Sequence, residues 1–217
     1  MNKQKLTGFI EKYSLGNTIE SVPWSVKNNT LATDFVSDDR TLLGNVTLNS
    51  FEIDDTEFGI YNTTQLQKMV SVLGNDVTVN LKKVDKRAIA IDMTDDEVSL
   101  NYMLADLDII PRAPKLKTLP DTTVVIKIDN DFITKFVRAK NALSESDNFT
   151  VISNNITQII IGESDSNTNK ININVKTESS QPMSAISFNA NYLKEILAAN
   201  RDHITGKMEV CAGGLAI

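Results

Sequence analysis

Cysteine and histidine are almost missing from this chain: its 217 residues hold one of each, Cys211 and His203. A single cysteine excludes an intramolecular disulfide. One Cys and one His also cannot supply the four ligands of a structural zinc site. No run approaches the ~20 apolar residues of a membrane span. The opening MNKQKLTGFIEKYSLGN has neither the apolar core nor the small-residue cleavage site of a signal peptide. These absences predict a cytoplasmic protein with no membrane partner. Basic excess is missing too: 22 Lys and Arg stand against 28 Asp and Glu, a net charge of −6. That balance excludes a generic basic nucleic-acid coat but leaves room for a local basic surface. Neither G-x-G-x-x-G nor G-x-x-x-x-G-K-[ST] occurs, so no nucleotide hydrolysis is expected and no cofactor is implied.

Most of the chain reads as short strands. LGNVTLNSFEI, DVTVNLKKV, RAIAIDMT, EVSLNYMLA, TTVVIKI, NFTVISNN, TQIIIGES, KININVK and MSAISF alternate or carry β-branched runs, broken by Asn, Asp, Gly and Ser. Four segments have helical spacing instead. They are 2–15 (Leu6, Phe9, Ile10, Tyr13), 62–74 (Leu66, Met69, Val70, Leu73), 129–143 (Ile133, Phe136, Val137, Leu143) and 189–201 (Leu193, Ile196, Leu197). Expected caps are Thr63 or Thr64, Asp129 or Asn130, and Asn189 or Asn191, with Gly16-Asn17 and Gly74 as stops.

The helices repeat. A shift of 127 carries Leu6, Phe9 and Ile10 onto Ile133, Phe136 and Val137. The same shift carries Leu66, Met69 and Val70 onto Leu193, Ile196 and Leu197. Two pairs at one offset predict a twofold internal repeat of strands with two helices, an α+β architecture of antiparallel sheets. DIIPRAPKLKTLPDTT, with Pro111, Pro114 and Pro120, reads as an extended connector over 111–122 between domains 1–110 and 123–217. Laid side by side, the second half lacks a counterpart of IAIDMTDDEVSLNYMLADLDII, and the chain is expected to be short of about two strands there.

Charge follows the helices. The four helical windows hold nine basic residues, Lys3, Lys5, Lys12, Lys68, Lys135, Arg138, Lys140, Lys194 and Arg201, against four acidic ones. They carry +5, and the remainder carries −11. Lys5 with Lys12, and Lys194 with Arg201, fall on stripes off the apolar faces, while Lys68, Lys135 and Arg138 point nearly opposite them. Lys140 falls close to its apolar face. With a sheet covering the apolar faces, a basic helix layer would attract duplex DNA. Aromatic residues do not interleave the cations, and no Arg or Asn cluster suits base readout. Phosphate contact without sequence choice is the expected mode.

Carboxylates gather at Asp54-Asp55-Glu57, at Asp92 with Asp95-Asp96-Glu97, and at Asp106 and Asp108. A Mg²⁺-dependent nuclease could use such groups. The first two clusters lie between strand-like runs, where Asp fits turns instead, and no metal site is expected. His203 has no second histidine within sequence reach and reads as a surface or cap residue.

IKIDNDFITKFVRAKNALSESDNFTVI at 126–152, ISFNANYLKEILAA at 186–199 and FGIYNTTQLQKMVSVLGNDVTVNL at 58–81 resemble the DNA polymerase sliding clamps of T4-type bacteriophages. The similarity to proliferating cell nuclear antigen is looser. The resemblance implies a clamp fold and a homotrimeric ring with helices lining its hole. Such a ring encircles duplex DNA without sequence specificity and tethers the replicative DNA polymerase; it is not an enzyme. It implies opening by a clamp loader ATPase, contact with late-transcription factors, and the host cytoplasm as location. It also implies a pocket for partner peptides beside the connector. Here the matching candidates are Val36, Leu43, Ile109, Ile110, Pro111, Leu116 and Leu119; in the family, C-terminal strands complete the pocket, and those are the strands this chain is expected to be short of. The rivals are the nuclease and a repeat-built interaction protein without a DNA role.

Overall fold

Asn2 begins the first helix by accepting a hydrogen bond from the Gln4 amide, which satisfies one of the orphan donors of a helix start. The computed structural model describes every residue except 86, 117, 163–168 and 204. The last two residues of TQIIIGES and position 117 of the expected connector therefore lie outside the described residues. The chain is α+β, with four helices and four antiparallel sheets among the described residues. It divides into two units, Met1–Lys115 and Leu116–Ile217.

In the first unit, α1 (Lys3–Ser14) buries Leu6, Phe9, Ile10 and Tyr13. It closes on Leu15 in the left-handed region (φ 47°), one residue earlier than Gly16. A hairpin follows, β1 (Val22–Lys27) and β2 (Thr30–Val36). Asn28 and Asn29 both take positive φ (51° and 58°) at its two-residue turn, a conformation asparagine tolerates and whose twist matches the strands. With β3 (Leu43–Asn49) and β4 (Thr56–Ile60) they form a sheet ordered β3-β2-β1-β4. Trp24 on β1 lies edge-on to Phe9 and Tyr13 and tilted to Phe58, so α1 and the sheet share one aromatic core.

Next comes α2 (Thr63–Ser71), capped by Asn62, whose side chain accepts from the Gln65 amide. Thr63 and Thr64, the expected caps, bond Glu20 instead. Gly74 is not the stop: the helix ends three residues earlier, and the Gly74 amide donates to Asp95. The second sheet is β5 (Thr78–Val84), β6 (Arg87–Thr94) and β7 (Ser99–Met103). A 3₁₀ turn at Leu107–Ile109 leads to Ile110, which packs on Gly59. A Cβ at Gly59 would stand 2.7 Å from Ile110 Cγ1 and 3.0 Å from the Ala105 carbonyl. We expect Gly59→Ala to cost about 1–3 kcal/mol through overpacking, read as a lower urea midpoint at unchanged m-value.

The second unit opens with β8 (Thr122–Ile128) and α3 (Asn130–Ala142), capped by Asp129 accepting from the Phe132 amide at 2.8 Å. Strands β9 (Asn148–Ser153), β10 (Thr157–Ile161), β11 (Ile171–Asn174), β12 (Thr177–Ser180) and β13 (Met183–Asn189) precede α4 (Ala190–Ala199), which Asn189 caps. β14 (Gly206–Cys211) and the two-residue β15 (Leu215–Ala216) complete it. The sheets run β11-β10-β9-β13 and β12-β8-β14-β15. Phe136 is fully buried, stacked on Phe132 and edge-on to Phe149.

The two units share one plan. Caps Asn2 and Asp129 are 127 apart, as are Asn62 and Asn189. The order β3-β2-β1-β4 recurs as β11-β10-β9-β13 at nearly the same offset. Where β8 pairs with β14, the first unit sets Met1–Lys3 against Asn75–Val77, held by an Asn2–Asp76 bridge, a Val77 amide bonded to the Met1 carbonyl at 2.8 Å and a Lys3 amide bonded to the Asn75 carbonyl at 2.8 Å. β15 stands beside β14 as β6 stands beside β5. Among the described residues no helix is long and apolar enough to cross a membrane.

Candidate nucleic-acid interface

The nine helix-window cations do not share one fate. Lys3 is half-buried and donates to the carbonyls of Leu73 and, at 3.4 Å, Ser71. Its charge is spent on the negative end of α2. Lys12 is half-buried on the last turn of α1. Lys135 pairs with Asp131 one turn earlier at 2.7 Å. Lys194 is half-buried, 3.9 Å from Glu195.

Lys140 corrects the expectation. It is 4% exposed, and its ammonium donates to the Ser144 carbonyl at 2.9 Å. Its place near the apolar stripe of α3 draws the stem into the core, and the carbonyl just past the helix end compensates the charge. It offers nothing to a surface ligand. Arg201 corrects a smaller point: α4 ends at Ala199, so this arginine stands on the following turn.

Four of the nine, Lys5, Lys68, Arg138 and Arg201, are exposed and have no ion-pair partner among the described residues. Arg138 and Arg201 meet at one groove between α3 and the end of α4, of about 420 Å³, with Asn130, Ile133, Thr134 and Val137. Asn130 and Thr134 were not anticipated. The signal was available: 130, 134 and 138 form one stripe at four-residue spacing. Arg138 also borders a second groove, of about 580 Å³, with Lys135 and the strand β11.

Asp129, at the start of α3, is already engaged. The Phe132 amide, and secondarily Lys176 at 3.0 Å, hold the Asp129 carboxyl below its ordinary value, so it stays ionised and paired. The carboxylates read as a possible metal cluster disperse likewise. Asp54 pairs with Lys83, Asp55 accepts from the Asn28 amide, Glu57 pairs with Arg112 and Asp106 with Arg87. Asp95 accepts the amides of Gly74, Glu97 and Val98, which lower its pKa. Among the described residues no group of three His, Cys, Asp or Glu converges as a metal site would need.

Of the peptide-pocket candidates, Val36 and Leu43 are direct cross-strand partners at one end of the β2–β3 ladder, both half-buried. Ile109 (62%) and Pro111 are exposed in the first unit, and Leu116 and Leu119 are exposed in the second. Ile110 is corrected: at 4% exposure its side chain fills the space over Gly59 and is core, not pocket wall. Ile109, the last residue of the 3₁₀ turn, faces outward, and Ile110, the extended residue that follows, faces inward. No protein-family model and no curated protein matches the chain.

Proposed function

We propose that this chain is the subunit of a DNA sliding clamp of the T4-phage type. In this reading it is a non-enzymatic homotrimeric ring that encircles duplex DNA and tethers the replicative polymerase. The observation that carries the reading is the repeat itself. One helix–strand plan occurs twice at an offset of 127, with both helix caps in register. The helical windows of that plan hold +5 in a chain of net −6. A ring built from such units needs no tight grip, because its hold on DNA is topological. Exposed lysines and arginines then supply weak, salt-screened contacts to phosphates that permit sliding. A loader ATPase must open the ring, since this chain has no phosphate-binding loop of its own. Late-transcription factors would share the outer surface with the polymerase.

Solution mass and topology test the proposal together. Light scattering should give three times the 24.0 kDa subunit mass. Subunits loaded on a nicked circular plasmid should stay bound, and should be released when the circle is linearised. A monomer at every concentration that leaves circular and linear DNA at equal rates would defeat the proposal.

A further inference from the structure

The apolar faces of the helices repeat under the 127 shift, but the cations do not. None of the nine helix-window cations falls on another basic residue when shifted: Arg138 falls on Glu11, and Arg201 on Gly74. The groove of the second unit, floored by Ile133 and Val137 and flanked by Asn130, Arg138 and Arg201, corresponds in the first unit to Leu6, Ile10, Lys3, Glu11 and Gly74. The one cation of that second set, Lys3, is spent on the Leu73 and Ser71 carbonyls, and Glu11 is exposed. The shift thus replaces the two arginines of the second-unit groove by an acid and a glycine in the first unit.

We propose that the α3–α4 groove seats one phosphodiester of a nucleic-acid backbone, and that the second unit, not both alike, supplies the chain's main phosphate grip. Two guanidinium groups converge on one groove. Guanidinium forks match phosphate oxygens in pairs, which an ammonium cannot do. Asn130 and Thr134 add neutral donors, and Ile133 and Val137 offer an apolar floor for the sugar. Three of the local acids have a lysine partner. Asp131 is held by Lys135 at 2.7 Å, Asp129 by Lys176 at 3.0 Å, and Glu195 lies 3.9 Å from Lys194. Asp202, next to Arg201, lies 3.8 Å from His203. This inference rests on the DNA-facing reading above and goes further by locating the grip.

The test is fluorescence anisotropy of a labelled 20-base-pair duplex titrated with the full chain at about 50 mM salt, where phosphate contacts are strong. Two double variants remove equal charge: Arg138→Ala with Arg201→Ala, and Lys5→Ala with Lys68→Ala. All four side chains are exposed, and matching far-UV circular dichroism checks the fold. The arginine pair should lose about tenfold more affinity than the lysine pair. Because both arginines hold one phosphate, their single variants should be non-additive by threefold or more, as coupled groups are, while the lysines should add. Equal losses from the two pairs, or additive arginines, would overturn the uneven grip and leave the DNA-facing reading standing. A wild-type chain that ignores the duplex, or that takes a poly-glutamate peptide through these arginines in its place, would overturn the phosphate grip, whereas the ring itself falls only if subunits are not retained on the circular plasmid.

Discussion

With the proposed clamp function, replacing Lys5, Lys68, Arg138 and Arg201 together by Glu should shorten the products of DNA synthesis by about tenfold or more at physiological salt, because each lost phosphate contact weakens binding and each new carboxylate repels the backbone. These four are the exposed helix-window cations without an ion-pair partner among the described residues. All four side chains are exposed, so far-UV circular dichroism should not change. Lys140→Met is the internal contrast. Lys140 is buried on the Ser144 carbonyl, so its loss should leave product length unchanged while altering stability. Product length on a primed circular template, with polymerase and loader present, is the measurement. Full-length products from the quadruple variant would remove the DNA-facing assignment of the helix layer.

Phe136→Ala should lower the unfolding free energy by about 3–5 kcal/mol. The ring is fully buried between Phe132 and Phe149 in the core of the second unit. Truncation removes the transfer free energy and leaves a cavity that aromatic neighbours fill poorly. Against a total stability of ~5–15 kcal/mol for a natural domain, that loss is large enough to move the urea midpoint by more than a molar unit at ordinary m-values. Phe136→Leu keeps most of the volume and should cost less than half as much. A midpoint shift under about 0.3 M for the alanine variant would contradict the packing described here.

Leu6, Phe9 and Ile10, recurring at Ile133, Phe136 and Val137, made the helices and their duplication readable before any coordinates, because helical periodicity is a property of neighbours one turn apart. Cap chemistry is local in the same way, and Asp129 and Asn189 cap as their side-chain type predicts. The α2 cap, Asn62, lies just before the expected Thr63 or Thr64. Thr63 and Thr64 are good cap residues, but Glu20, distant in sequence, claims them and leaves Asn62 to cap. The hairpin at 22–36 turns on Asn28-Asn29, a turn signal between apolar stretches.

The sequence by itself determined the α+β class, the twofold plan, the helix positions and the sign of their charge, since each follows from composition or from spacing within a few residues. The tertiary structure alone decided which charges remain available. Lys3, Lys135 and Lys140 are equally basic on paper, yet one caps α2, one pairs within its helix and one is buried. It alone turned Ile110 inward and Ile109 outward, and it alone brought Arg138 and Arg201 to one groove. The reason is physical: a side chain's charge is fixed by its chemistry, but the partner that neutralises it or the ligand it can reach depends on which distant segments folding places within a few ångströms.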